Sequence, residues 1–183
     1  MMKTALIVID VQSALFDDEP RPEDAAGVIG RINALAAGAG AAGVPVAFVQ
    51  HQDKEGSLVV DSSGWRFAAA LKVEPGDTII HKTTPDSFLR TGLEAWLKQH
   101  GAESVTICGG MTEFCIDTTT RRAAGLGYPV TLVADAHTTC DKAHASAAMI
   151  RAHHNATLSD IGSFGVEIKA VPASEIVWPR ETI

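Results

Sequence analysis

Cysteine is scarce, with three in 183 residues, at positions 108, 115 and 140. An odd, sparse set makes no disulfide framework, and without a Cys-x-x-Cys pair it offers no structural zinc site. Positive charge is also in deficit: 15 Lys and Arg stand against 22 Asp and Glu, for a formal net charge of −7. With no basic stripe to displace counterions, nucleic acid and anionic membrane surfaces are excluded as partners. Long apolar runs are missing too. "MMKTALIVID" carries one lysine and an apolar run that stops at Asp10, too short for the core of a secretory signal. No run approaches the ~18 residues of a membrane span. Low-complexity blocks, internal repeats and linkers are absent. These absences predict a soluble chain in the reducing cytoplasm. What is present, 46% hydrophobic and 20% charged residues, is an ordinary globular mix. It predicts one domain over residues 1–183 with a core large enough to bury much of its apolar surface.

Strand-like and helix-like segments alternate along the chain. "TALIVID" (4–10) is a continuous β-branched run, the pattern of a strand buried on both faces of a parallel sheet. Residues 22–43 read as a helix, with Pro22, Glu23 and Asp24 in its first turn and Gly43 at its end. "VPVAFVQ" (44–50) is a second strand. A polar loop from 51 to 75 follows, with a helical turn near "WRFAAAL". "DTIIHK" (77–82) is a third strand. Residues 86–101 read as an amphipathic helix capped by Asp86 or Ser87. The remainder gives a strand over 104–110, a helix over 113–127, a strand over 129–135, a helix over 141–158 and a short strand over 166–171. This alternation predicts a three-layer α/β/α fold with a mostly parallel, Rossmann-like sheet. In such sheets, ligands sit beyond the carboxyl ends of the strands. Asp10 ends the first strand, His51 follows the second, Lys82 ends the third, and Gly109–Cys115 follow the fourth. An acid, a lysine and a cysteine therefore converge on one edge.

A free cysteine is usually a small buried hydrophobe, and Cys108, inside an apolar strand, fits that description. Cys140 lies in a polar loop with no acid–base partner. Cys115 differs: it falls in the first turn of a helix, where free N–H groups and the helix dipole favour thiolate, and a nearby lysine pushes the same way. Gly109 and Gly110 before it permit close backbone approach, as an oxyanion hole of main-chain donors requires. Asp10 alone is equally a loop cap, and Lys82 alone a snorkelling surface lysine. With Cys115 they form a base, an electrostatic helper and a nucleophile.

On the residues "ALIVIDVQ", "HKTTPDSF" and "GGMTEFCIDTTTRRAAGLGYPVTLVADAHTT", the chain resembles the isochorismatase-like cysteine hydrolases, the group that includes nicotinamidase and N-carbamoylsarcosine amidohydrolase. The resemblance implies the isochorismatase-like hydrolase fold, a catalytic triad of Asp10, Lys82 and Cys115, and a cis peptide between Gly110 and Met111. It implies an oxyanion hole from the backbone N–H groups of Met111 and Cys115. The nicotinamidase branch carries an Asp-x-His metal site after the second strand. Here that stretch reads "VQHQDKEG": His51 is present but Asp-x-His is not, so no metal and no cofactor is expected and nicotinamide is demoted as substrate. "TEFCIDTTTRRA" and "HHN" (153–155) are similar to a branch that includes streptothricin hydrolase, which opens a cyclic amide. Relatives lacking the cysteine cleave the vinyl ether of isochorismate, a reaction against which Cys115 argues.

The expected activity is cofactor-free hydrolysis of a carbon–nitrogen bond in a small amide, lactam or carbamoyl compound through a thioester. Asp10 takes the thiol proton, Lys82 stabilises the charged state, and each oxyanion donor contributes roughly 3 kcal/mol in the transition state. Burial raises the pKa of the base and the lysine opposes the rise. Ester or vinyl-ether hydrolysis on the same fold, and a catalytically silent redox-sensing thiol, stand as alternatives; a sensor needs an activated thiol but no proton shuttle. Gln12, Phe16, His51, Trp65 and Glu113 are candidates for substrate contact. Asp135 and His137, with Asp141 and His144 nearby, form a possible metal cluster for which loop hydrogen bonding is the better account. His153 and His154, near a helix end, suit the helix dipole or a subunit contact. Relatives are commonly dimers or tetramers, so a homo-oligomer is expected. The Ala-rich helix over 33–43 is suited to packing against another helix or its own sheet.

Overall fold

The computed structural model of the protein describes residues 2–178. Six parallel strands form one sheet in the order β3-β2-β1-β4-β5-β6. They are β1 (Thr4–Ile9), β2 (Val46–His51), β3 (Thr78–Lys82), β4 (Ser104–Gly110), β5 (Val130–Thr138) and β6 (Ile168–Val171). The chain builds outward from β1 to β3, then returns to the far side of β1 and builds outward again. The strand order therefore reverses between β1 and β4, and a crevice opens at the carboxyl ends of that pair.

Strand period two explains the three layers. Ala5, Ile7 and Ile9 face one side of β1, in a cluster with Leu93 and Leu97 of α3 (Leu93–Gln99), Ala123 of α4 (Asp117–Gly125) and Leu158 of α5 (Ala147–Asp160). Leu6 and Val8 face the other side, against Val28, Ile29, Ile32 and Leu35 of α2 (Ala25–Ala41). A single turn, α1 (Ser13–Phe16), follows β1. No helix among the described residues is long and apolar enough to cross a membrane.

Three expectations on the elements are corrected. The helix read over 86–101 begins only at Leu93, because short side chains divert the preceding backbone. Asp86 Oδ1 accepts from the Phe88 N–H, Thr91 Oγ1 donates to the Ser87 carbonyl, and Arg90 turns to φ 58°. The helix read over 141–158 begins at Ala147, capped by Ser146, whose hydroxyl accepts from the Met149 N–H; Asp141 takes the Ala147 N–H. The turn near 65–71 is not helical. The loop there is strapped to the segment after β1 by Ser13 N–H to Arg66 O, Ala14 N–H to Gly64 O and Ala68 N–H to Val11 O.

Candidate active site

Asp10 leaves β1 in the left-handed region, at φ 52°, a conformation an aspartate tolerates better than a branched residue. Its backbone N–H is held by the Val49 carbonyl. Lys82 closes β3, and its in-register neighbour on β2 is His51. From the other side, β4 ends at Gly109 and Gly110. Gly109 has φ 121°, and a Cβ there would lie 2.0 Å from the Ile9 carbonyl oxygen, so only glycine lets β4 pass this close to β1. The Gly110–Met111 peptide is cis. A π-helical turn, Thr112–Ile116, then carries Cys115 and runs directly into α4.

The three side chains meet. Lys82 Nζ lies 2.7 Å from Asp10 Oδ2 and 3.1 Å from Cys115 Sγ. The lysine and aspartate side chains are 0% and 1% exposed, so the ion pair is cut off from solvent and its interaction is correspondingly strong. Asp10 Oδ1 is buried and has no hydrogen-bond partner among the described residues. It is left open as an acceptor, and a carboxylate oxygen of Asp10, a ring nitrogen of His51 and Cys115 Sγ lie within 4.8 Å of one another.

Lys82 Nζ also lies 2.9 Å from His51 Nδ1 and donates to the Thr84 carbonyl at 3.1 Å. His51 Nε2 is 3.0 Å from Asp53 Oδ1. An ammonium only donates, so Nδ1 is the acceptor and Nε2 carries the ring proton toward Asp53. Asp10, His51 and Cys115 are a donor set a divalent ion could use. Lys82 Nζ touches all three, so an ammonium holds the place and an ion would have to displace it.

The state of the thiol departs from the sequence-based expectation. Burial pushes the Cys115 pKa up to about 12; the Asp10 charge adds to the rise and the Lys82 charge opposes it. Desolvation outweighs the lysine, and the balance favours the thiol at rest. Cys108, wholly buried in β4, is pushed up by burial as well. Cys140, raised mainly by burial, lies 3.4 Å from the Pro20 carbonyl.

The five residues suggested for substrate contact divide. Gln12 is fully buried and its amide is spent on the scaffold: Nε2 donates to the carbonyls of His51 and Trp65, and Oε1 accepts from the His51 N–H. It latches the long loop to β2. Phe16 is 1% exposed, packed in the α2-side core, and its ring would be 3.0 Å from a Cβ at Gly110. It supports the glycine turn from beneath. His51 has both ring nitrogens engaged. Trp65 is half-buried beside His81, ring centroids 5.5 Å apart, and its indole N–H is buried without a partner among the described residues. Glu113 Oε1 accepts from Thr139 and pairs with Lys142 at 3.1 Å. Burial raises the Glu113 pKa, but hydrogen bonds from its own N–H, Thr139 and Lys142 outweigh this and hold it below the usual value. With Phe114, Lys142 and Met149 it lines a hollow of about 590 Å³.

Among the described residues the other histidines belong to no cluster of three potential metal ligands. Asp135 is taken by the Ala173 N–H and by Arg31, and Asp141 by the Ala147 N–H. His153 and His154 lie mid-helix in α5, away from its terminal dipole, and His154 Nδ1 is 2.7 Å from the Ile150 carbonyl. His137 is fully buried in a chain the sequence did not reveal. Asn155 Nδ2 donates to the Ala134 carbonyl, so its Oδ1 accepts from His137 Nε2–H. Nδ1 in turn accepts from the Thr112 hydroxyl. This chain ties the nucleophile turn to β5 and α5. Burial lowers the His137 pKa to about 4. The unfolded chain takes up this proton below about pH 6.5 and the folded chain only below about 4. Stability from this residue is therefore full above 6.5 and declines by about 3 kcal/mol as pH falls between those values. Urea unfolding at pH 7 and pH 5 should show a smaller acid decline in His137→Gln than in the parent.

An all-parallel sheet that gathers an acid, a lysine and a cysteine beyond its strand ends defines an α/β class with a buried cysteine site. Residues 4–162 match the family model for the isochorismatase domain, and the chain belongs to that family. It is 35% identical over 138 residues to a streptothricin hydrolase of Streptomyces noursei, covering 75% of this chain and 50% of that protein. The chain thus spans about half the length of the streptothricin hydrolases it matches. It is 27% identical over 173 residues to the ureidoacrylate amidohydrolase RutB of Pseudomonas savastanoi pv. phaseolicola, covering 73% of this chain and 70% of that one. A solved isochorismatase family protein superposes with a TM-score of 0.84 at 30% identity, over 93% of this chain and 99% of the other.

Proposed function

We propose that this member of the isochorismatase family hydrolyses a carbon–nitrogen bond in a small amide, lactam or carbamoyl compound, by way of a thioester on Cys115. The observation that carries the reading is a buried Asp10 carboxylate within 4.8 Å of the Cys115 sulfur, one oxygen fixed by Lys82 and the other without a hydrogen-bond partner among the described residues. A thiol that rests protonated needs a base at the moment of attack, and the Asp10 carboxylate is the acceptor in reach.

The sulfur attacks the amide carbonyl as its proton passes to Asp10, and Lys82 stabilises the thiolate character that develops. Backbone N–H groups of Met111 and Cys115 receive the oxyanion. Asp10 returns the proton to the leaving nitrogen, then takes one from water, and the hydroxide released attacks the thioester carbonyl. The acid product leaves and the thiol is restored. Relatives named as hydrolases of streptothricin and of an amide, ureidoacrylate, support the reaction class. A redox-sensing role fits less well, because a sensor needs a thiol of low pKa and burial drives this one the other way.

Parallel assays of amides, cyclic amides, ureas, esters and isochorismate test the proposal. Turnover is expected among the carbon–nitrogen substrates; turnover confined to esters or the vinyl ether would overturn it.

A further inference from the structure

Lys82 Nζ has four acceptors in reach: Asp10 Oδ2 at 2.7 Å, His51 Nδ1 at 2.9 Å, and Thr84 O and Cys115 Sγ each at 3.1 Å. An ammonium has three N–H bonds. One acceptor is therefore always short of a donor, and the chemistry decides which. While Cys115 is a thiol and Asp10 a carboxylate, the full negative charge on Asp10 holds the shorter contact, 2.7 Å, and the sulfur the longer one, 3.1 Å. Once the Cys115 proton has moved to Asp10, the charge lies on sulfur, and the N–H that served Asp10 is drawn more toward Sγ. The other two donors, on Thr84 and His51, hold the rigid ammonium so that its third N–H points between Asp10 and Cys115 and can strengthen toward either with a small tilt. His51 can hold its donor only as the neutral tautomer with Nδ1 bare, and Asp53 fixes that tautomer by accepting from Nε2.

We propose that His51 and Asp53 are a positioning pair for Lys82: they anchor one N–H of the ammonium so that another stays directed between Asp10 and Cys115, its stronger bond passing from the carboxylate to the sulfur as the thiol proton moves. The inference rests on the reading of Cys115 as nucleophile and gives His51 a part distinct from substrate contact. Protons balance throughout. The thiol proton goes to Asp10, Lys82 keeps all three of its own, and only the relative strength of its bonds to Asp10 and Cys115 changes. The ionisable groups facing the reacting thiol are Asp10 and Lys82, with His51 behind the lysine and Asp53 behind the histidine. A merely structural His51 would not alter how readily the sulfur gives up its proton.

Alkylation of Cys115 by iodoacetamide, followed by peptide mass spectrometry over a range of pH, reads that property without a substrate. Against the parent, His51→Leu is expected to slow alkylation near neutral pH about tenfold, the effect of one lost hydrogen bond to a charged group, and to move the profile to higher pH. His51→Asn, whose side-chain oxygen reaches the position of Nδ1, is expected to restore most of the rate. A folded His51→Leu protein with the parent's profile, or an asparagine variant no better than the leucine one, overturns the proposal. If His51→Leu does not fold, Asp53→Ala carries the test, since that side chain is 48% exposed. An upward shift of its profile then supports the pair, and an unchanged profile overturns it. Failure to find an amide substrate would count against the proposed function and leave this result standing.

Discussion

Replacing Cys115 by alanine is expected to lower kcat by about 10⁴-fold or more, the scale on which enzymes with a covalent nucleophile lose activity without it. Stability is expected to hold. The thiol rests protonated, so its removal takes no charge from the site. It also leaves Lys82 with three acceptors for three donors, Asp10, His51 and Thr84, a closer match than the parent has. The urea midpoint of Cys115→Ala should therefore equal or slightly exceed that of the parent while turnover vanishes. A variant that kept its activity would remove covalent catalysis from the account. A variant that unfolded would show that the cysteine is chiefly a packing residue, the role Cys108 has in β4.

The second large effect concerns stability as well as rate. Asp10 and Lys82 form an ion pair almost without solvent contact. Lys82→Met removes the cation and strands the Asp10 carboxylate, with one oxygen already unpartnered. Breaking such a buried pair costs about 3–5 kcal/mol, much of it the penalty of leaving the remaining charge uncompensated. The double variant Asp10→Asn with Lys82→Met no longer buries a lone charge and is expected to recover a large part of that loss. It is expected to recover no activity, since neither base nor cation remains. Urea unfolding of the two single variants and the double variant measures this as a coupling energy. Additive losses would mean that the two side chains do not act as a pair.

The sheet was legible because its strands are written as uninterrupted β-branched runs such as "ALIVI" and "SVTIC", with each turn back marked by glycine or proline. The convergence of Asp10, Lys82 and Cys115 followed from placing them at the ends of those strands, and the reversal of strand order between β1 and β4 gives that edge its crevice. Less legible was the start of α3. The amphipathic period runs back to residue 86, but Asp86 and Thr91 spend their side chains on nearby backbone and stop the helix from forming earlier. Residues 141–146 likewise look helical in composition and are held as a loop by Asp141, with Ser146 starting the helix.

Local context also misled on Cys115. A cysteine in the first turn of a helix beside a lysine suggests a stabilised thiolate, whereas burial, which depends on the tertiary packing, dominates. Gln12 and Phe16 were placed near the site by position alone. Both are there, but beneath it, one latching the loop by hydrogen bonds and the other filling the core under Gly110. Asp53 was overlooked because its role exists only once His51 is seated against Lys82. The signal available was an i, i+2 His–Asp pair at the end of a strand whose neighbour ends in lysine. The His137–Asn155 contact, between residues 18 apart, needs α5 folded back on β5 before it can be seen.

The central claim is that the reaction passes through a covalent bond to Cys115. Acid quenching during the first turnover of an amide substrate, followed by peptide mass spectrometry, tests it most directly. The account predicts the acyl mass of the substrate on the peptide that contains Cys115 and on no other. Acyl mass on a different side chain, or product formed while the Cys115 peptide stays unmodified throughout that turnover, would contradict it.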